Sequence, residues 1–452
     1  MPALHTPAAG VVAMVSALVL LAGCAGREPV PAQLPPAEQP PARAWTAEQL
    51  SDLRAATQVA AAHGLPTESE ALALIDRLEP LSLRDGDMAR RLDAAADALF
   101  ARLASNFAIG AVDPVQTDPD WRIARPPPPD AIALRRAVME GGDVSDTLSA
   151  LLPNAPDYAI LAAELARVQA EPDGAVDAGG LSKQARVDRL RASLERWRWL
   201  PRGMPPRRID VLVPLFELRM RDGETSTRHA VIVGARRTQS PSFAAAIETI
   251  TLNPTWTPPS SIVHGELLPR FRRNPNAAAA EDFDVIDDSG RIIDPADVDW
   301  RARPFPYTLR QRAGPGNALG RLRFDLPNPY AVFLHDTPSR GLFERDDRAL
   351  SHGCIRVSEP VRLAANVLGD PMWDEPALDT AIEGGATQVI TLGVPLPIYV
   401  LYLTAAPEQE GAVRYGEDIY DRDRALLRAL DRASPMQIAS RAATQTECSS
   451  TR

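Results

Sequence analysis

Several things are scarce in this chain of 452 residues, and each scarcity excludes something. Cysteine occurs three times, too seldom for a disulfide scaffold, so Cys24, Cys354 and Cys448 call for separate readings. Basic residues are not in excess: 49 Lys and Arg stand against 59 Asp and Glu, a net charge of −10. Nothing therefore offsets phosphate repulsion, which excludes nucleic acid as a general partner. No metal-ligand cluster and no phosphate-cradling glycine loop is visible, so neither a metal nor a cofactor is expected. Long apolar runs are also missing. The stretch Val11 to Leu21 is too short for a comfortable permanent membrane span and reads as a signal-peptide core. Proline, by contrast, is plentiful at 43 residues, gathered in the N-terminal third and later loops as linkers and turns. Hydrophobic content of 45% and charged content of 24% suit a globular protein of two to three domains.

Leu21-Ala22-Gly23-Cys24 closes the apolar run. Small residues followed by cysteine are similar to the lipobox of bacterial lipoproteins. That resemblance implies removal of residues 1–23 and acylation of Cys24, with several acyl chains giving a stable membrane anchor. Ala25 and Gly26, with no aspartate at 25, imply sorting to the outer membrane of a Gram-negative cell and a periplasmic location. The first ten residues depart from the pattern, carrying His5 but no Lys or Arg; a plain secretory signal is the alternative. Residues 24–44 form a Pro/Ala/Gln-rich tether. Cys448, in a Ser/Thr-rich tail, reads as a bystander.

The body that follows reads as α+β. Residues 45–200 carry helical spacing, for example the stripe Leu92, Ala95, Ala96, Leu99, Leu103, and are expected to form a helical scaffold. A loop over Glu171 to Gly180 precedes a helix that ends in Glu195-Arg196-Trp197-Arg198-Trp199-Leu200-Pro201. The pattern then turns to β over residues 205–405. Strands are expected at Ile209–Val213, Phe216–Met220 and His229–Val233, with a turn at Asp222-Gly223. A fully apolar strand is expected at Ala331–Leu334, and a closing strand at Ile398–Leu403. Residues 406–452 read as a C-terminal helix and a disordered tail.

Chemistry concentrates at Ser351-His352-Gly353-Cys354-Ile355-Arg356-Val357, with His335 standing 19 residues before Cys354. A thiol becomes a nucleophile when a base takes its proton. His335, mounted at the end of a buried strand, is one candidate base, and Asp336 offers a carbonyl or carboxylate to orient its ring. His352 competes, because residues two apart in an extended segment face the same way. Gly353 permits a backbone turn, so the Gly353 and Cys354 amides are candidates for an oxyanion hole. Ser358 is expected to cap a helix that starts at Pro360 and stops at Gly369. Its positive end would favour a thiolate.

His335-Asp336-Thr337-Pro338-Ser339-Arg340, together with the Ser351–Val357 run, resembles the active-site signature of L,D-transpeptidases with a YkuD-type catalytic domain. Arg356, where smaller members usually carry asparagine, points to the larger Gram-negative YcbB-like branch, as do Glu195–Pro201, Asn253–Thr257 and Arg312–Gly320. The resemblance implies that Cys354 is the nucleophile, His335 the proton carrier, the Asp336 carbonyl its orienter and His352 an accessory. It implies peptidoglycan stem peptides as partners: a tetrapeptide donor and a meso-diaminopimelate amine acceptor, joined in a 3-3 cross-link through a thioester. It also implies that carbapenems acylate the enzyme. Hydrolysis of the same thioester, an L,D-carboxypeptidase activity, is an alternative; a non-catalytic peptidoglycan-binding scaffold is another. The stretch 258–323 corresponds to a lid, from which Arg310, Arg312, Arg321 and Asn317, together with Trp256 and Arg356, are candidate substrate contacts. Trp197 and Trp199 read as packing residues. Relatives often carry a small peptidoglycan-binding module before the Trp-Arg-Trp segment; here only the Glu171–Lys183 loop stands in its place.

Overall fold

The computed structural model describes residues 44–408 and 411–433. The signal segment, Cys24, nearly all of the tether and Cys448 lie outside the described residues.

The helical body starts at a capping box. Thr46 accepts from the Gln49 N–H at 3.1 Å, while the Gln49 side chain accepts from the Thr46 N–H at 3.0 Å, closing the first turn of helix Ala47–Ala62. The long helix Gly86–Ile109 is capped by Asp85 and turns Leu92, Ala96, Leu99 and Leu103 onto Trp45, Leu50 and Leu53. Helices Pro156–Gln169 and Lys183–Trp199 form a second layer, joined only by the loop 170–182. The last turns of Lys183–Trp199 are buried on every side, charges included. Arg198 Nη1 meets Glu195 Oε2 at 2.8 Å and Arg196 pairs with Asp423, so the inward charges are matched.

The β domain is one nine-stranded sheet. Its first strands are β1 (Arg208–Leu212), β2 (Glu217–Asp222), β3 (Thr225–Gly234) and β4 (Phe243–Leu252). After an inserted segment come β8 (Leu322–Asp325), β9 (Leu334–His335), β10 (Ala349–Ser351), β11 (Ile355–Val357) and β12 (Gln388–Leu401). The order is β10-β3-β11-β9-β8-β4-β12-β1-β2, and an added β2–β3 pairing closes the sheet on itself. Ile398, Val400 and Tyr402 point to the barrel core, while Tyr399, Leu401 and Leu403 pack against the helical layer. That is the physical content of the Tyr/aliphatic alternation: both faces are buried, with different partners. The strand expected to close the domain at 398–403 instead begins at Gln388 and lies between β4 and β1.

The expected lid stretch 258–323 divides. Helical turns between Ser260 and Ala280, with β5 (Phe283–Ile286), β6 (Ile292–Ile293) and β7 (Thr308–Gln311), build a separate small core, whereas β8 belongs to the main sheet. Phe271 anchors that core, with Phe283 and Trp300 rings 5.5 and 5.2 Å away. Truncating such a fully enclosed aromatic costs roughly 3–5 kcal/mol.

Other sequence expectations need correction. The apolar strand expected at 331–334 is reduced to Leu334–His335. Ala331 sits at φ 54 in a turn that Asn328 holds, its side chain bonding the Val332 carbonyl at 2.8 Å and accepting from the Tyr330 N–H at 3.0 Å. Helix Pro360–Leu368 is preceded by Glu359 at φ 47, and no side chain caps it. Ser358 is not the cap; its hydroxyl is taken by the Ala230 N–H at 2.9 Å, across to β3. In the C-terminal region, helix Arg422–Arg432 packs on the helical layer.

Candidate active site

The geometry of β9 and β11 brings the chemistry together. The strands run parallel, with His335 opposite Arg356 and Leu334 opposite Ile355. Partners in a ladder point to the same face, and so do residues two apart along a strand. His335 and Arg356 therefore share one face of the barrel, and Cys354 stands just before β11, with the Arg356 charge acting on both its thiol and the His335 ring.

His335 is 5% exposed. Its Nδ1 lies 2.6 Å from the Asp336 carbonyl oxygen. A carbonyl can only accept, so Nδ1 carries the proton and Nε2 presents a lone pair. Burial, reinforced by the Arg356 charge, holds this imidazole at about 4, against the pull of the Asp336 hydrogen bond. The Asp336 carboxylate is 1% exposed and turned away from the ring. It accepts from the Arg321 N–H at 2.8 Å and pairs with Arg340 Nη2 at 2.7 Å. Gly320, at φ 64, lies directly beneath it; a Cβ there would come within 2.5 Å of Asp336 Cγ. The residues alone leave Asp336's carbonyl and carboxylate both open as the orienter, and the family resemblance implies the carbonyl, which is the group that holds that position.

Cys354 is half-buried. Its Sγ donates to the Ala331 carbonyl at 3.6 Å, and no hydrogen bond joins it to His335 among the described residues. Burial pushes the thiol above its ordinary value; a hydrogen bond from the Phe333 backbone and the Arg356 charge oppose that shift. The resting site thus holds a neutral thiol and a neutral imidazole. Arg356 has no carboxylate partner among the described residues, and its Nε makes no hydrogen bond.

The two expected oxyanion amides differ. The Gly353 N–H donates to Ser351 Oγ at 3.1 Å and is spent within the loop. The Cys354 N–H has no partner among the described hydrogen bonds and remains the available donor. Gly353 itself takes φ 116, which a side chain would resist.

His352 points elsewhere. Its Nε2 meets Glu266 Oε1 of the inserted subdomain at 2.6 Å, and both groups are exposed. The other expected contacts have partners of their own in the resting protein, the arginines, both solvent-exposed, in ion pairs. Arg310 pairs with Asp284 at 3.2 Å, and Arg312 with Asp282 at 3.3 Å. Asn317 is 1% exposed and ties the Arg312 carbonyl to the Leu319 N–H at 2.8 Å each. Trp256 exchanges backbone bonds with Gln311 at 2.9 and 2.7 Å and packs with the inserted core. Of the expected arginine contacts, Arg356 has no acidic partner among the described residues, and its charge acts on the thiol.

Sequence reasoning missed the cradle around Cys354. Ala235 N–H and Thr238 Oγ1 both donate to the Ser351 carbonyl, at 2.8 and 2.9 Å, and Ser240 Oγ donates to the Gly353 carbonyl at 2.7 Å. The polar run Thr238-Gln239-Ser240 between two strands was the available signal.

Residues 206–390 match the L,D-transpeptidase catalytic domain family, YkuD, and residues 39–165 match a scaffold domain family. A Haemophilus influenzae protein, provisionally named an L,D-transpeptidase, is 35% identical over 219 residues, 48% of this chain and 44% of that protein. The match thus spans less than half of that relative's length. Over these two stretches the chain is similar to an L,D-transpeptidase catalytic domain of the YkuD family and to a scaffold domain.

Proposed function

We propose that this protein is a cysteine acyltransferase forming 3-3 cross-links between peptidoglycan stem peptides. The observation that carries the reading is the locked tautomer of His335, which leaves Nε2 basic on the face it shares with Arg356, whose charge also reaches the Cys354 thiol. The family match to the catalytic domain supports it.

Cys354 Sγ attacks the carbonyl of the third stem residue, meso-diaminopimelate, of a tetrapeptide donor. As the C–S bond forms, the thiol proton passes to His335 Nε2, and the carbonyl electrons move to an oxygen facing the Cys354 N–H. Because the resting pair is neutral, transfer accompanies attack, as general-base catalysis, with no standing ion pair. Collapse breaks the C–N bond to the terminal D-alanine, whose nitrogen takes the proton from Nε2. The side-chain amine of a second stem then attacks the thioester. Nε2 accepts the amine proton and returns it to sulfur as the C–S bond breaks. Arg356 faces the developing thiolate and can meet a donor carboxylate.

Intact-mass measurement with a carbapenem tests the reading: one adduct is expected, on Cys354, and none on Cys354→Ala. An unmodified wild-type protein sinks it. Digested stems then separate the acceptors, dimers with 3-3 links for an amine and tripeptides alone for water. We further propose that the reaction occurs in the periplasm, with the body tethered through an acylated Cys24. Metabolic labelling with palmitate, lost in Cys24→Ala, tests that.

A further inference from the structure

We infer that Ser240 is a positioning residue for the oxyanion-binding N–H of Cys354, held in place for the helical body by Tyr420 and Arg422. The inference rests on the acyl-transfer reading above.

The Gly353 carbonyl and the Cys354 N–H are opposite ends of one peptide plane, and a trans peptide points them in opposite directions. Whatever fixes the carbonyl therefore aims the N–H. The Gly353 carbonyl is fixed by Ser240 Oγ at 2.7 Å, and Ser240 is fully buried. The same hydroxyl accepts from the Gly234 N–H at 3.0 Å, so its own proton goes to Gly353. The clamp has work to do, because Gly353 at φ 116 is the residue in this loop freest to rotate its peptide. Ser351 holds the other side, accepting from the Gly353 N–H and donating to the Cys354 carbonyl.

Ser240 is itself held at both backbone ends. Its N–H donates to Tyr420 Oη at 3.3 Å, and Tyr420 donates to the Gly234 carbonyl. Its carbonyl accepts from Arg422 Nη2 at 3.2 Å. Arg422 is 5% exposed, with its guanidinium over the rings of Tyr402 and Tyr420 at 4.8 and 4.9 Å. It stands 3.2 Å from Asp120 and 3.6 Å from Asp118, both in the helical body. The backbone of that body also joins the cradle loop, Ser242 N–H donating to the Asp120 carbonyl at 3.0 Å. One polar path, half-exposed at Asp120 and buried from Asp118 inward, thus runs through Arg422 and Ser240 to the peptide that presents the oxyanion donor. The helical body, remote in sequence from Cys354, takes part in aiming it.

The experiment compares two reactions of Cys354 in the full chain. Carbapenem acylation passes through an oxyanion; iodoacetamide alkylation, read by peptide mass, needs the thiol alone. Ser240→Ala is expected to slow acylation about 10- to 100-fold while alkylation stays within about twofold, since a misaimed donor forfeits much of an oxyanion contact. For stem-peptide turnover, the loss is expected in kcat with KM little changed. Ser240→Thr, which keeps the hydroxyl, is expected to recover most of the rate. Tyr420→Phe, a change of one hydroxyl, is expected to slow acylation less, in the same direction, and carries the test should Ser240→Ala not fold. Acylation at the wild-type rate in both variants, or equal slowing of acylation and alkylation, overturns the inference. Failure of the wild-type chain to acylate at all instead overturns the acyl-transfer reading beneath it.

Discussion

His63 and His335 are a matched pair in opposite roles. Burial holds each imidazole at about 4, and in each case an arginine adds to the effect: Arg198 beside His63 and Arg356 beside His335. His63 sits in the helical body, stacked on Tyr158 at 5.5 Å with Nδ1 3.0 Å from the Tyr158 hydroxyl. A hydroxyl both donates and accepts, so either tautomer is satisfied there. His335 meets a carbonyl, which permits one tautomer and leaves a directed lone pair. The arginines differ as well. Arg198 is fully buried against Glu195 at 2.8 Å, whereas Arg356 has no acid beside it. A depressed histidine is therefore not a signature of chemistry. The fixed tautomer and the uncommitted cation are what separate the two sites.

The largest expected contrast comes from the rings themselves. His335→Gln should slow acylation of Cys354 about 10³-fold, the worth of a positioned general base, while His63→Gln stays within about twofold. Equal losses in stopped-flow acylation would erase the distinction. Next come the arginines. Arg198→Gln strands the Glu195 carboxylate in the interior and should cost about 3–5 kcal/mol in denaturant unfolding. Arg356→Gln strands nothing and should change stability by less than about 1 kcal/mol, with its effect on the acylation rate instead.

Acid should treat the two histidines alike in sign. Each folded value lies below the ordinary 6.5, so between 6.5 and about 4 the unfolded chain binds the extra proton and stability falls as pH falls. For His335 the loss is on the order of 3 kcal/mol, complete below its folded value; for the less buried His63 it is smaller. Denaturant midpoints against pH should flatten in His335→Gln more than in His63→Gln, and the reverse order would contradict the assigned burial. Smallest is the exposed pair His352–Glu266. Glu266→Gln should change stability by less than about 1 kcal/mol, seen as a small shift in thermal midpoint.

Much of this was legible in the chain. Alternation gave β1, β2 and β3 to within a few residues, and the stripe from Leu92 to Leu103 gave the face of the long helix. The run Ser351–Val357 with His335 singled out the residues that β9 and β11 bring to one face. What was not legible depends on partners distant in sequence. Ser358 looks like a cap until β3 takes its hydroxyl. Asn317 looks available until the neighbouring loop buries it and takes its amide. Gly353 looks like an oxyanion donor until Ser351 occupies its N–H. Propensity and spacing describe what a residue can do locally; which of its bonds are already spent is decided by the fold.

The burial that keeps the Cys354 thiol protonated has a consequence for the wear of the enzyme. Peroxide and foreign disulfides react with thiolates, so a sulfur that, in the proposed mechanism, ionises only while it is being acylated offers them little to attack. A nucleophile armed in advance would be faster to start and quicker to spoil. A site that, as proposed, defers ionisation until a carbonyl arrives gives up some readiness and gains a long shelf life between turnovers.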